Sequence, residues 1–359
     1  MSRIAAAHYE EIKDREDERH PSSEHEAHYA AGRDATHPKE IPSRGWWAIL
    51  KRTYQVMTDK DLGLMCAGVA FYGFLSIFPI IAAIVLIYGL VATPESLAGH
   101  LDLIRPLLPA AAMEIIDGRL ESLVNQPASS LGWGLLLSLG LALWSGSRGT
   151  NSLILAIGEA YHEDDRRGFV ASALLSVGLT LGAILFLGFA IAAIAVLPAI
   201  LNNFALGPTL EPVLNWIRWP ILLAAVIGVV TVLYRLAPDR DDARWRWLVP
   251  GAAVATVLWM ILSIGFTIYA ENFGSYSASF GSLAGAVVLM FWIYYSTMAF
   301  VFGAALNGQM ELQTRRDTTV GGNEPMGTRE AFVADHTPRD VAQGPKEERP
   351  ENPGGAKGS

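Results

Sequence analysis

Six long apolar runs, broken by short polar stretches, set the pattern of this chain. Residues 62–92 carry no charge over 31 positions. Residues 131–147 continue past Arg148 to Ile157, and residues 169–201 are uncharged over 33 positions. The runs 219–237, 247–270 and 280–308 complete the set. A bilayer core of about 30 Å takes roughly 20 helical residues. The pattern therefore predicts an all-α, polytopic membrane helix bundle. Its six transmembrane helices are expected near 68–92, 131–153, 170–198, 217–237, 247–270 and 281–307. Pro79 divides the first run, so a kink or an interfacial first portion is expected there. Pro198 marks the exit of the third run. Pro250 is expected in the first turn of the fifth helix, where a missing N–H costs least.

The longest connection, 93–130, is not simple linker. Leu97, Leu101, Ile104, Leu108, Ala111, Ile115 and Leu123 recur at helical spacing among Glu95, Asp102, Glu114, Asp117 and Glu121. This spacing predicts an amphipathic helical outer loop, broken near Pro106 and Pro109. It would lie on the membrane surface, cap the bundle, or bind an envelope protein partner through 95–125.

Charge divides the chain into three. Residues 1–45 hold 10 acidic and 7 basic side chains and residues 311–359 hold 9 and 7, out of 35 and 27 in the whole chain. Both ends are expected as solvated, disordered tails flanking a membrane domain at 46–310. Neither tail has a basic block, so no nucleic-acid partner is expected despite a net charge of −8. Arginine and lysine near the span ends fix the orientation. With the N-terminus inside, the cytoplasmic flanks hold Arg44, Lys51, Arg52, Lys60, Arg148, Arg166, Arg167, Arg235, Arg240, Arg244, Arg246, Arg315 and Arg316. The other side holds Arg105, Arg119 and Arg218. Both termini are thus expected in the cytoplasm. The charged N-terminal forty residues do not read as a cleavable signal, so the first apolar run is expected to act as an uncleaved anchor.

Candidate chemistry is sparse. Cys66 is the single cysteine, which excludes an intramolecular disulfide and a multi-thiolate metal site. Five of the eight histidines lie in the N-terminal tail, and His20, His25 and His28 read as part of a solvated segment. P-loop, HExxH and GxSxG patterns are absent, so no enzyme activity, metal or cofactor is expected. What remains is polar residues within or beside the spans: Tyr72, Ser76, Arg148, Asn151, Glu271 and Asn307. Tyr72 and Ser76 lie on one helical face and either bond a neighbouring backbone or line a cavity. Arg148 is expected to end the second span, as an interfacial anchor or a contact for a headgroup phosphate, with Asn151 beside it. Helix shape and packing are assigned to Pro79 and Pro250 and to the GxxxG pairs Gly178/Gly182 and Gly281/Gly285, read as internal close approaches.

Four stretches together resemble the YihY/BrkB family of bacterial inner-membrane proteins. They are AGVAFYGFLSIFPII, LWSGSRGTNSLILAIGEAY, RWRWLVPGAAVATVLWMILSIGFTIYAENFGSY and FGSLAGAVVLMFWIYYSTMAFVFGAALN, in that order within about 46–316. One departure is Ala305, where the family pattern has a glutamate. The resemblance implies a multi-pass inner-membrane protein linked to envelope integrity and to lipid or solute transport. Family members have also carried a ribonuclease label. RNA hydrolysis would call for a metal cluster or an acid/base pair beside a basic groove, and the residues offer neither. The leading expectation is a transporter or handler of a lipid or small amphiphile, with membrane lipids as partners. The alternative is a non-transporting envelope scaffold.

Overall fold

The computed structural model describes residues 31–58, 60–91, 128–191, 193–194, 207–272, 282–321 and 324–343. Among the described residues, nine helices follow a short 3-10 turn at Pro38–Glu40. They are α1 (Ser43–Met57), α2 (Lys60–Val91), α3 (Ala128–Ala160), α4 (Phe169–Ile191), α5 (Gly207–Leu236), α6 (Trp245–Asn272), α7 (Ser282–Gln313), α8 (Phe332–Asp335) and α9 (Pro338–Gln343). Among the described residues there is no strand. A lone antiparallel bridge joins Ala243 to Thr319.

Five helices contain segments long and apolar enough to cross a membrane: Asp61–Ala83, Phe169–Ala190, Trp216–Leu236, Trp245–Tyr269 and Gly285–Gln313. α3 is as long as the others but is not among them. Glycine, serine, tryptophan and Arg148 dilute its second half, and its crossing remains an expectation. Few side chains inside these segments are buried by the protein. Apolar residues such as Leu64, Phe169, Leu185 and Ile261 face outward, as lipid-facing surfaces require.

The helices alternate in direction, so α2, α4 and α6 start where α3, α5 and α7 end. α7 is the hub: it packs against α1, α2, α3, α6 and α8, while α3 lies along α2 and α4. Close approach between α6 and α7 is made by Gly251 and Gly303. A Cβ on either would collide with the other's carbonyl oxygen. Among the described residues, the Gly178/Gly182 pair and Gly285, expected to serve this purpose, do not. Nothing lies within 4 Å of a Cβ built at Gly178, Gly182 or Gly285, and Gly281 is outside the described residues. Motif spacing does not reveal which side of a helix meets a neighbour.

α2 runs through Pro79 as one helix. One expectation about proline changes. Pro250 sits in the second turn of α6, not the first, because the helix starts at Trp245. Proline there removes an intrahelical donor and crowds the carbonyl four residues back. Asn307 of α7 makes up for the disturbance. Its Oδ1 accepts the Gly251 N–H at 2.8 Å and its Nδ2 donates to the Leu248 carbonyl at 2.9 Å.

The expected solvated tail from 311 is also corrected in its described part. α7 continues to Gln313, and the chain then folds back over the end of the bundle. Thr314, Asp317, Thr318, Thr319, Arg329, Ala331, Val333 and Ala334 are buried. Arg329 is the pin of this cap, donating to the carbonyls of Glu324, Ala334 and Arg315 and lying near Asp317. A charge-rich composition reads as tail, but these charges pair with one another and with backbone. At the other end of the chain, residues 31–45 include the 3-10 turn, and Gln313 of α7 donates to the Ala31 carbonyl. The expected amphipathic loop at 93–130 lies outside the described residues, apart from its last three positions in α3.

Candidate functional site

Apart from Glu271, the polar residues of the sequence analysis fall into two places. One is a belt halfway along α2, α3 and α4. The other is the end of the bundle where α3, α5 and α7 finish.

The belt is fixed by close packing. A Cβ on Gly149 would sit 3.5 Å from the Tyr72 Cβ, and one on Gly68 would sit 3.3 Å from the Ser152 hydroxyl. α3 therefore runs antiparallel to α2 with Arg148 level with Tyr72, which is the middle of the apolar segment Asp61–Ala83. On the other side, Thr150 bonds Thr180 at 2.8 Å, near the middle of Phe169–Ala190. Thr180 already gives its hydrogen to the Ser176 carbonyl, so Thr150 is the donor. Arg148 is thus not at the end of its helix, and it is level with the middle of the neighbouring apolar segment. The helix continues twelve residues to Ala160, roughly 18 Å at 1.5 Å per residue. Side chains on a helix also lean toward its N-terminus, here away from that nearer end. The span expected near 131–153 lies within a longer helix, whose polar positions find partners: Thr150 on Thr180, Ser152 on the Arg148 carbonyl and Asn151 on Ser176.

Arg148 is exposed, and its guanidinium has no hydrogen-bond or ion-pair partner among the described residues. One turn further on, Asn151 Oδ1 lies 3.3 Å from the Ser176 hydroxyl, which shares its one hydrogen with the Ser172 carbonyl at 2.8 Å, and the Asn151 NH₂ group has no partner among the described residues. Trp144 and Leu155, both exposed, share this face. Trp144 meets Tyr72 edge-on with ring centroids 6.5 Å apart. The arrangement presents five guanidinium donors and an amide donor in an apolar frame, which suits an anionic oxygen-bearing group. Ser76 is not part of it, since it is buried and donates to the Gly73 carbonyl of its own helix at 2.7 Å. Asn307 is fully buried and committed to α6, so it acts in packing. Glu271 is the penultimate residue of α6, at the opposite end from Arg240 and far from the belt.

The bundle end holds a buried charge cluster that sequence spacing did not reveal. Arg240, in the α5–α6 connection, pairs with Glu311 of α7 at 2.8 Å, with their side chains 2% and 0% exposed. Thr318 of the cap donates to the other Glu311 oxygen at 2.7 Å. The Arg240 guanidinium stacks 4.5 Å from the Tyr161 ring, and burial pushes the Tyr161 phenol up. α3 ends with His162 in the left-handed region and the Glu163 N–H bonded to the Gly158 carbonyl at 2.9 Å. This helix-ending turn aims Glu163 at the cap, where its carboxylate accepts the Phe332 N–H at 2.6 Å. Burial pushes the Glu163 carboxyl up to about 7, against the opposing pull of the Phe332 N–H, Arg240 and Arg166. Arg167 closes the same end by donating to the carbonyls of Ala237, Leu236 and Pro238, and it pairs with Asp239.

Among the described residues, no three His, Cys, Asp or Glu side chains gather as a metal-ligand set. The family model for virulence factor BrkB matches residues 53–326, from within α1 to the middle of the cap. The chain belongs to the BrkB family. This BrkB-family chain is 31% identical over 273 residues to the putative ribonuclease-like protein YfkH of Bacillus subtilis, covering 72% of this chain and 94% of that one. It is 28% identical over 272 residues to the UPF0761 membrane protein VP0125 of Vibrio parahaemolyticus, covering 73% and 82%. A third relative, the UPF0761 membrane protein IL2447 of Idiomarina loihiensis, is 26% identical over 207 residues, covering 57% of this chain and 69% of that one. No solved structure matches the chain. Family and helices together make this a multi-pass membrane protein. Ala305, the departure from the family pattern, is fully buried in the apolar core that also holds Tyr234, Ala252 and Leu312.

Proposed function

We propose that this BrkB-family member is a non-enzymatic protein of the bacterial inner membrane that moves or positions an anionic lipid or small amphiphile. Both termini would lie in the cytoplasm, with the capped end of the bundle on that side. One observation carries the reading. The Arg148 guanidinium has no partner among the described residues, and it stands exposed level with the middle of the apolar segment Asp61–Ala83. An unpaired arginine in hydrocarbon is costly, so this position calls for an occupant with anionic oxygens. A phosphate headgroup supplies them, Asn151 adds a donor, and Trp144 and Tyr72 frame the site. Envelope integrity would follow from placing that lipid in the correct leaflet.

The test is lipid movement in proteoliposomes holding the full chain and a headgroup-labelled anionic phospholipid. Arg148→Ala is expected to abolish movement, and Arg148→Lys to keep part of it because a point charge replaces the fork of donors. Wild-type movement by Arg148→Ala, at equal amounts of inserted protein, would remove this residue and the reading built on it.

A further inference from the structure

α1 has two unlike faces. Gly45, Ile49, Thr53 and Val56 are buried, and Ile49 packs in a cluster with Trp247, Leu306 and Met310. On the flank, Arg52 donates to the Gln309 and Gln313 side chains at 2.8 and 2.7 Å. These contacts seat α1 beside the last two turns of α7 and the first turn of α6. It is therefore level with the end of the apolar segment Gly285–Gln313.

The opposite face is turned outward. Trp47 is 68% exposed and Tyr54 69%, with exposed Leu50 and Lys51 between them. This spacing puts all four on one side of the helix. α1 has no acidic residue; its charges are Arg44, Lys51 and Arg52. α2 follows in the chain from Lys60 and presents exposed Leu64 in its second turn. Indole and phenol rings settle at the boundary between water and lipid. Basic side chains beside them are drawn to anionic headgroups.

We propose that the outward face of α1 lies in the headgroup region of the bilayer and docks on anionic phospholipids, with Lys51 as the contact to phosphate. The place of α1 level with the end of the apolar segment Gly285–Gln313 and its one-signed charge favour this occupant. A second copy would bring the same basic stripe against itself. Lipid movement at Arg148 is not required, so this surface stands or falls by itself.

The full chain carrying Gln55→Cys, an exposed position next to Tyr54, is labelled with an environment-sensitive fluorophore. Buried Cys66 stays in place, and labelling of the parent chain gives the blank. The protein is placed in nanodiscs of phosphatidylcholine alone or with phosphatidylglycerol. A quencher on shallow lipid positions is expected to quench the probe in anionic discs. Lys51→Gln should lower the ratio of docked to undocked probe there by about fivefold, leave neutral discs unchanged, and keep the same thermal unfolding. Added salt should act in the same direction. Equal quenching by aqueous iodide in detergent and in both kinds of disc overturns the proposal. So does protection in detergent that grows with protein concentration, which would assign the face to a second copy.

Discussion

Glu163 shows how one side chain ties the membrane bundle to its cap. Its carboxyl is raised from an ordinary 4.5 to about 7 by burial. A raised carboxyl favours the docked state when protonated, and that advantage fades as pH rises from about 4.5 through 7. The groups around it are Arg240, Arg166 and Glu311, with His162 and His336 against Phe332. Hydrogen exchange at the Phe332 amide should therefore be slowest at about pH 4.5 and below, speed up between about 4.5 and 7, and level off above that, after correction for intrinsic exchange. Glu163→Gln should hold the amide protected across that range; an unchanged pH profile in this variant would rule Glu163 out. Arg240 and Glu311 make a second residue-scale case. Breaking a fully buried pair by Arg240→Met leaves an uncompensated carboxylate and should cost about 3–5 kcal/mol. Adding Glu311→Leu should recover much of that, because the remaining charge is gone. Thermal unfolding in detergent of the two variants measures the difference. Neither pair was legible in the sequence: 71 residues separate Arg240 from Glu311 and 169 separate Glu163 from Phe332.

At the scale of elements, the α6–α7 crossing is the tightest contact described. Gly251 and Gly303 touch backbone to backbone, with Tyr234 and Ala255 closing in on Gly303. Ala at either position forces the helices apart, and overpacking of this kind costs about 1–3 kcal/mol. Gly178→Ala and Gly182→Ala, with open space around them, should leave unfolding unchanged. The same comparison tests whether GxxxG spacing matters here at all. Asn307→Ala leaves Gly251 N–H and the Leu248 carbonyl without the partner beside Pro250, and should cost about 1–3 kcal/mol. Helix existence was readable from apolar runs, since length and hydropathy alone demand it. Helix ends were read less well. α3 and α7 pass beyond the polar residues placed at their termini, because Thr150, Asn151 and Asn307 find partners on adjacent helices.

For the whole molecule, the cap decides how the bundle ends. Residues 314–343 cover Tyr161, Tyr234, Ala243 and Leu312, which share a core with Val333. Removing everything after Gln313 should expose this apolar end and leave Glu311 without Thr318. The expected result is a lower unfolding temperature and loss of monodispersity in detergent, measured by light scattering during a thermal ramp. The relative named ribonuclease-like calls for a direct check. Purified full chain with divalent metal and RNA should cleave no more than a mock preparation, and sustained turnover would overturn the non-enzymatic reading.

The sequence by itself determined the class: uncharged runs of twenty or more residues can satisfy their backbone in lipid only as helices, and four ordered stretches pointed to the family. It also supplied Arg148 and Asn151 as the residues worth watching. Only the tertiary structure decided their depth, because depth depends on the register of α3 against Tyr72 and Thr180, a contact between helices that no local pattern encodes. The same holds for the fold of the cap, the buried Arg240–Glu311 pair and the outward stripe of α1. Each arises from which surfaces meet, and that is settled by packing across large separations in the chain.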